Sequence, residues 1–514
     1  MKSAVLALLS VVAGVALGGE FDEPHFVGGR ETIVHLFEWP WDSIADECEN
    51  FLAPYGYAAV QISPPQEHPT FSIGGTVPWY ARYQPASYNL HSRSGTEQQL
   101  RRMVERCNRV GVRVYADMVI NHMTGETEVG TASGGSSYNG RTRQFPAVPY
   151  GPNDFHSRCD IDFSNAHSIQ YCWLVGLTDL NTESDYVQYK IAEYFNKLVD
   201  IGVAGFRVDA SKHIDSNSLR GIFRRIKNLR ADIYGRNKRP FIVNEVIDYN
   251  DQPAGARMED YLGVGRVTNF MYGRFLTDAV RRQNNFRYFG RFGEGFAMPS
   301  RYEVVNFVDN HDSQRDACDD HGCGHNHVLT YKDSYSYTMA VTFMLAFDYG
   351  IPRVMSGYAF GNRPQGPPSR GPYETIPPEF VSPDGLCRYS LGWRCEHRYP
   401  EIKNMVRFRE ATHNEAMQVV ATEDHRIAFR RGNKGFFMVN NNPSRRWEGE
   451  FYTGLPGGRY CDVIDSDISA DRRTCTDYDH RPVGGYVQVN GNGRAYISVQ
   501  QGKTFAISLA SKLN

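Results

Sequence analysis

Four short apolar runs in this chain each end in a polar cluster that carries Asp, Glu or His, and this pattern restricts the fold most. The runs are VRVYADMVINH (112–122), GVAGFRVDASKH (202–213), RPFIVNEVID (239–248) and RYEVVNFVDNHD (301–312). Their β-branched and aromatic residues are typical of buried strands. Because parallel barrels place their functional groups at the C-terminal ends of several strands, we expect Asp209, Glu245 and Asp312 to meet on one rim.

Four further runs bring the number of strand-like segments to eight. They are TIVHLF (32–37), GYAAVQISPP (56–65), RVTNFMYG (266–273) and IPRVMSGY (351–358). Between most of them, apolar residues recur every three or four positions, as in EQQLRRMVERCNRVG (97–111), which predicts amphipathic helices. Eight alternations of strand and helix predict an α/β fold, a (β/α)₈ barrel that comprises residues 19–121 and 181–416.

Two regions depart from this alternation. Residues 122–180 are rich in Gly, Ser, Thr and Asn and lack a barrel helix, so we expect a small irregular domain inserted after the third strand. From residue 417 to 514 the pattern changes to short alternating strands, with turns at Gly432-Asn433 and Asn490-Gly491. That pattern predicts a C-terminal antiparallel β-sandwich domain.

Charge and the N-terminus restrict the partners and the compartment. The formal net charge of −2 provides no electrostatic reason to expect nucleic acid or an anionic membrane as a partner. Residues 1–18 have one Lys, then an apolar stretch and small residues, which is typical of a cleaved signal peptide and is short for a membrane anchor. We therefore expect a secreted, extracellular protein, with a monomer as the default state.

The ten cysteines also fit an oxidising compartment. Spacing alone favours four local pairs, and the two cysteines left over would then pair with each other. The expected disulfides are Cys48–Cys107, Cys159–Cys172, Cys318–Cys323, Cys387–Cys395 and Cys461–Cys475. A zinc cluster is the alternative, but tight Cys-x-x-Cys repeats are absent from the sequence.

The strand ends carry residues suited to acid–base chemistry on a sugar. Arg207 and Asp209 alternate onto one face, and an Asp beside a buried Arg is expected to stay ionised and can act as a nucleophile, although a structural Arg–Asp pair has the same pattern. Glu245 ends an apolar run, where the protonated form is favoured, as a general acid requires. Three carboxylates on one rim fit the cleavage of a glycosidic bond.

The four runs resemble, in order, the four signature regions of the α-amylases in glycoside hydrolase family 13. The resemblance extends over residues 21–514 and points to the animal, chloride-dependent branch, and within it to invertebrate members. It implies a secreted digestive enzyme that hydrolyses internal α-1,4 bonds of starch, glycogen and malto-oligosaccharides with retention. Asp209 would be the nucleophile, Glu245 the general acid and base, and Asp312 the third, stabilising carboxylate, with the first two carboxyls roughly 5–5.5 Å apart.

The resemblance also assigns residues that contact the substrate. They are Trp79, Tyr80, Tyr83, Gln84, His122, Lys212, His213 and His311. Trp79 and Tyr80 lie beside Pro78 in the segment VPWYARYQP, which favours a sugar-stacking platform over core packing. A lone histidine such as His122 is more often structural.

Two ions are implied as well. Calcium would lie between the barrel and the inserted domain, held by Asn121, Asp179 and the backbone carbonyls of Gln170 and His213. Oxygen-only ligation suits Ca²⁺.

Chloride would bind to Arg207, Asn310 and Arg353. Two guanidinium groups near Glu245 would favour its ionised form and spoil a general acid, and a bound anion would offset them. We therefore expect activity to rise with chloride and the substitution Arg353→Gln to remove this dependence.

Three features depart from the family pattern. The loop 313–327 replaces a flexible Gly-rich loop and would be stiffened by a Cys318–Cys323 bridge. The disulfide that ties the barrel to the inserted domain in mammalian relatives is missing. Phe163 stands where many relatives have a Tyr.

Two other readings remain open. The same fold and carboxylates serve family 13 α-glucosidases and glucanotransferases. A non-catalytic relative would be expected to lack the carboxylates and to carry a membrane anchor.

Overall fold

Eight parallel strands close into a barrel in the computed structural model of the protein, which describes residues 19–319, 323–324, 326–371, 373–483 and 485–514. The strands are β1 (Thr32–Leu36), β2 (Tyr57–Ile62), β3 (Arg113–Met118), β4 (Gly205–Val208), β5 (Phe241–Asn244), β6 (Arg266–Asn269), β7 (Val304–Asn306) and β8 (Ile351–Ser356). Each strand pairs with the next one along the chain, and pairing of β1 with β8 closes the barrel. The predicted barrel is confirmed. The expected signal peptide, residues 1–18, lies outside the described residues.

A helix follows each barrel strand. The helices are α1 (Trp41–Glu47), α2 (Glu97–Arg109), α3 (Asp185–Ile201), α4 (Ser216–Arg224), α5 (Met258–Tyr261), α6 (Phe270–Val280), α7 (Tyr335–Ala346) and α8 (Pro400–Ala411). Thr96 and Gln99 form a capping box at the start of α2, whose buried residues include Leu100 and Val104. The run 266–273 was predicted as strand throughout, but its second half belongs to α6 because the Asn269 side chain accepts from the backbone N–H of Tyr272 and caps that helix.

An apolar layer of side chains lies inside the barrel. Its members come from six of the strands and the segment before β4, and they form a buried cluster separate from the larger core between the strands and the helices. They are Ile33, Ala59, Tyr115, Ala204, Phe241, Val243, Val305 and Ile351. Because side chains alternate along a strand, residues two positions further on point into the barrel above this layer, towards the carboxyl ends of the strands.

The segment after β3 forms its own short elements. His122–Gly125 pairs antiparallel with Leu177–Asp179, so the segment leaves and returns at neighbouring points. Between them lie the paired strands Val129–Thr131 and Ser137–Asn139 and the helix Ala166–Tyr171.

The C-terminal part is antiparallel, as predicted. Its largest sheet contains Met417–Glu423, Arg426–Arg431, Gly435–Asn440 and Lys503–Ser508. Trp447–Tyr452 pairs with Arg494–Val499, Gly458–Tyr460 pairs with Val487–Val489, and a small sheet joins Asp467–Ile468, Cys475–Thr476 and Pro482–Val483. Phe429 and Phe437 of the large sheet contact Phe343 of α7, which joins this part to the barrel through an apolar interface.

All five predicted disulfides are present, and together they use the ten cysteines. Cys48–Cys107 joins the segment after α1 to α2, and Cys318–Cys323 lies in the loop after β7. Within the described ranges, no helix is both long enough and apolar enough to cross a membrane.

Candidate active site

The three predicted carboxylates lie at the carboxyl ends of barrel strands. Asp209 directly follows β4, Glu245 directly follows β5, and Asp312 lies in the loop after β7. The side chains of Asp209 and Glu245 are 11% and 6% exposed, whereas the Asp312 side chain is 35% exposed. The site therefore has two enclosed carboxylates and a third that is open to the cleft.

The guanidinium group of Arg207 holds the enclosed carboxylates together. Its Nη1 donates to Asp209 Oδ1 and to Asp117 Oδ1, each at 2.6 Å, and its Nη2 donates to Glu245 Oε1. The second oxygen of Glu245 accepts from the backbone N–H of Ala210 at 2.9 Å. Because Asp209 and Glu245 bind one planar group, neither can turn away without losing a buried charge-assisted hydrogen bond.

His311 connects Asp312 to the aromatic side of the cleft. Its Nε2 is 3.3 Å from Asp312 Oδ2, and its ring stacks on that of Tyr83 with 4.9 Å between the centroids. The Tyr83 hydroxyl donates to Asp117 Oδ2 at 2.9 Å. The chain of contacts from Asp312 to Arg207 therefore runs through His311, Tyr83 and Asp117.

Burial and neighbouring carboxyl groups raise the pKa of two of the three predicted carboxylates. Burial raises the pKa of Asp209 well above its usual range, with Arg207 opposing and the neighbouring carboxylates adding to the rise. Partial desolvation at the edge of the cleft and the charge of Glu245 raise the pKa of Asp312 to about 7. The expectation that Arg207 alone keeps Asp209 ionised is therefore too simple. Burial likewise raises the pKa of Asp117, against the opposing charge of Arg207, so three of the carboxyl groups in this site hold their protons more tightly than usual.

The predicted platform segment forms a short 3₁₀ helix, Trp79–Tyr83. Trp79 is 7% exposed, donates from its indole N–H to the Arg363 carbonyl and contacts His311 edge-on, while Tyr80 is half-buried beside it. Gln84 accepts from the backbone N–H of Gly125 at 3.0 Å. The segment is thus attached both to the carboxylate side and to the segment after β3, with Tyr80 as its more accessible ring.

Three other predicted substrate contacts are engaged with the protein. His122 Nε2 lies 2.8 Å from the Tyr83 carbonyl, and burial lowers the pKa of His122 to about 4. Lys212 donates to the Ile247 carbonyl, and His213 Nδ1 lies 2.9 Å from the Ile169 carbonyl. Both nitrogens of His122 have protein partners, since Asn121 Nδ2 lies 3.3 Å from its Nδ1. Its contribution in this structure is to hold Tyr83.

The predicted calcium ligands form two pairs. Asn121 Nδ2 donates to Asp179 Oδ1 at 3.1 Å, and the contact of His213 with the Ile169 carbonyl places His213 beside the helix that carries Gln170. Burial raises the pKa of Asp179 to about 7, although His156 binds its other oxygen at 2.7 Å. A buried carboxylate beside an amide fits a hard cation.

No cluster of three or more His, Cys, Asp or Glu side chains suited to a metal is found among the described residues. The predicted calcium set does not belong to that class, because it combines one carboxylate with an amide and two backbone carbonyls.

The predicted chloride ligands lie on the same side of the barrel as the carboxylates. Arg353 is 4% exposed, and its Nη1 donates to Gln61 Oε1 at 2.8 Å. Burial and the charge of Arg207 lower the pKa of Arg353 to about 10. Asn310 uses its amide oxygen to accept from the backbone N–H groups of Asp312 and Ser313, which leaves its NH₂ group for another partner. A buried, poorly balanced guanidinium fits an anion.

Sequence reasoning missed several residues of the site. Asp117 was read as part of an apolar run, and Gln61 was not singled out. Arg315 was also missed: it is 2% exposed, donates to the His311 carbonyl and lies 3.9 Å from the centre of the Phe360 ring. For Asp117 and Gln61, the available signal was a single polar residue within an otherwise apolar strand.

Comparison with known proteins finds similarity along almost the whole chain. Residues 50–244 match the α-amylase catalytic domain, and residues 418–509 match the α-amylase C-terminal all-β domain. The α-amylase of the scallop Pecten maximus is 43% identical over 510 residues, covering 97% of this chain and 95% of the relative. The crystal structure of α-amylase I from the earthworm Eisenia fetida has a TM-score of 0.85 at 38% identity and covers 94% of this chain and 98% of its own. A mutant of that earthworm enzyme in complex with maltohexaose has the same TM-score and identity, with 94% and 97% coverage.

Proposed function

Because the chain belongs to the α-amylase family, we propose that it is a secreted, endo-acting α-amylase that hydrolyses internal α-1,4 bonds of starch and glycogen with retention of configuration. The observation that carries this proposal is the Arg207 guanidinium, which binds Asp209 and Glu245 at the same time at the ends of neighbouring strands. Malto-oligosaccharides are proposed as shorter substrates in which the same α-1,4 bonds are hydrolysed.

In the first proposed step, an oxygen of Asp209 attacks the anomeric carbon of the sugar on one side of the bond. The bond between that carbon and the glycosidic oxygen breaks, and Glu245 transfers its proton to the departing oxygen. A covalent glucosyl ester on Asp209 and a free sugar end are formed. Asp312 and His311 hold the hydroxyl groups of the distorted ring while positive charge develops.

In the second step, the Glu245 carboxylate takes a proton from water, and the water oxygen attacks the same anomeric carbon. The ester bond to Asp209 breaks, which restores both carboxyl groups. Two inversions give net retention of the α configuration. Trp79 and Tyr80 would stack on the neighbouring sugar, and Tyr83, Gln84, His122, Lys212 and His213 would shape the subsites around it.

Endo action is tested by comparing the loss of iodine staining with the release of glucose from soluble starch. We expect the stain to disappear while little glucose has formed, because cleavage inside the polymer shortens the helices that bind iodine. An α-glucosidase would release glucose while the stain persists. A glucanotransferase would remove the stain without new reducing ends.

The domain division and the compartment follow as further proposals. Residues 19–121 and 181–416 would form the catalytic barrel, 122–180 a calcium-binding insertion and 417–514 a separate β-domain. The apolar residues 1–18 and the five disulfides support an extracellular enzyme, and a monomer is the default state.

Calcium, bound by Asn121, Asp179 and the carbonyls of Gln170 and His213, would fasten the insertion to the barrel. Removal of Ca²⁺ by a chelator is expected to lower Tm, because a ligand at a hundred times its Kd stabilises the folded state by about 2.7 kcal/mol. Asp179→Asn should lose most of the calcium-induced rise in Tm. The matched control is Asp160→Asn, a change at a 91% exposed carboxylate in the same segment. Equal calcium responses in the two variants would contradict this site.

Chloride is proposed to bind among Arg207, Asn310 and Arg353 and to supply negative charge near Glu245, the proposed general acid. Initial rates on starch are expected to be higher in sodium chloride than in sodium acetate at equal ionic strength. Arg353→Gln removes the guanidinium that has no carboxylate partner among the described residues, and this change should make the two rates equal. A variant that keeps the chloride response of the parent enzyme would contradict the assignment.

A further inference from the structure

A polar layer lies inside the barrel, directly above the apolar one. Two positions beyond Ile33, Ala59, Tyr115 and Ile351 on their strands come His35, Gln61, Asp117 and Arg353, and Arg207 is paired with Asp117 across β3 and β4. All five are at most 4% exposed. Gln61 therefore lies in the same enclosed layer as both guanidinium groups.

The two guanidinium groups of this layer are unequally balanced. Arg207 binds three carboxylates, those of Asp117, Asp209 and Glu245. Arg353 has no carboxylate within ion-pair distance in the part of the chain that the structure describes, and Gln61 Oε1 is the side-chain acceptor that it reaches. His35 is held neutral because burial and both arginines keep its pKa well below the usual range, so it contributes no compensating charge.

The orientation of the Gln61 amide follows from this pairing. Its oxygen accepts from Arg353 Nη1, and the reverse orientation would set two donors against each other. Its Nε2 then points away from Arg353 and has no hydrogen-bond partner among the described residues, although it is buried. A buried donor without a partner is costly and rare, and here it stands beside an unbalanced positive charge. Both features are met by a small anion.

We infer that Gln61 sets the chloride requirement of the enzyme: its amide oxygen positions Arg353, its free N–H binds the anion, and its neutrality leaves the charge that the anion must supply. This inference rests on the proposed chloride site but adds a residue outside the set of Arg207, Asn310 and Arg353. It implies that a carboxylate at position 61 would form a bidentate ion pair with Arg353 and take the place of the anion.

The test uses the full-length enzyme and the variants Gln61→Glu and Gln61→Met, with sodium chloride titrated against sodium acetate at constant ionic strength. Tm and the initial rate on starch are both followed. We expect the chloride-free rate of Gln61→Glu to exceed that of the parent by more than about tenfold, because the internal charge lies within a few ångströms of Arg353. Chloride should no longer raise the Tm of this variant.

Gln61→Met is the matched control, since it keeps the side-chain length but neither accepts from Arg353 nor donates to an anion. It should still require chloride, with the half-activating concentration raised about threefold to tenfold for one lost hydrogen bond. If Gln61→Glu shows no cooperative thermal transition, the half-activating chloride concentration of Gln61→Met becomes the deciding measurement. A half-activating concentration equal to that of the parent enzyme would overturn the inference.

The outcomes separate the two levels of the proposal. If chloride changes neither the Tm nor the initial rate of the parent enzyme, both the anion site and the role of Gln61 are overturned. Parent enzyme that responds, together with a Gln61→Glu variant that responds equally in both measurements, would overturn the role of Gln61 alone. The second pattern also corresponds to an internal water, rather than chloride, at the free N–H of Gln61.

Discussion

Replacing Asp209 by Asn is expected to lower kcat/KM on soluble starch by a factor of about 10⁴ or more, as removal of a reacting group from a catalytic unit does. The amide of Asn is a poor nucleophile, so the covalent ester cannot form. The fold should persist because Asn is nearly isosteric and Arg207 keeps its bonds to Asp117 and Glu245. Rates are measured on starch, and folding is monitored by Tm.

The matched control is Asp117→Asn. Asp117 binds the same Nη1 of Arg207 at the same distance as Asp209, 2.6 Å, but lies one layer below the reacting carboxylates. This variant loses a comparable ion pair while both reacting groups remain. Its kcat/KM should fall far less than that of Asp209→Asn. Equal losses in the two variants would show that balance of charge at Arg207, and not nucleophilic attack by Asp209, accounts for the effect.

The substitution Glu245→Gln should have the second-largest effect, a loss of about 10²- to 10⁴-fold on starch, the usual contribution of general acid catalysis. The amide cannot protonate the departing sugar oxygen. The loss should shrink for the first step with a maltosyl substrate whose leaving group is an acidic phenol, because such a group departs without a proton. Pre-steady-state release of the phenol from the two enzymes measures this step directly.

Asp312→Asn provides the comparison for Glu245→Gln. Asp312 lies on the open side of the cleft, bound to His311, and carries no proton to the leaving group in the proposed mechanism. Its substitution should lower the rate on starch and on the phenol-bearing substrate by similar factors. If Glu245→Gln lowers the rate on both substrates by the same factor, Glu245 has a role other than that of the general acid.

The barrel could be predicted from the sequence because its strands are marked twice, by apolar runs and by the polar residues that end them. The prediction of a strand over the whole of residues 266–273 was wrong because of a single helix-capping side chain. The Asn269 side chain begins α6 where the residue composition still favours strand. A capping hydrogen bond is a local contact that outweighs the weak β-propensity of Phe270 and Met271.

The site was less predictable than the fold. The alternation of side chains along one strand shows which of them point into the barrel, but not which side chains of the neighbouring strand they contact. Asp117 and Arg207 are partners in the β3–β4 register, a contact that depends on the stagger of the barrel. His122 was expected to face substrate, but both of its nitrogens are used within the protein. The raised pKa of Asp209 likewise results from burial and, after it, from the carboxyl groups of Glu245, Asp117 and Asp312, conditions that arise only in the folded chain.

The stereochemistry of the first product tests the central claim most directly. ¹H NMR of the anomeric signals, recorded during the first minutes of malto-oligosaccharide hydrolysis, separates α- from β-configured new reducing ends before mutarotation mixes them. Attack by Asp209 followed by water activated by Glu245 predicts that the α-anomer appears first and the β-anomer grows in later. A β-anomer that appears first would mean direct attack of water, and would contradict the double displacement and the nucleophilic role of Asp209.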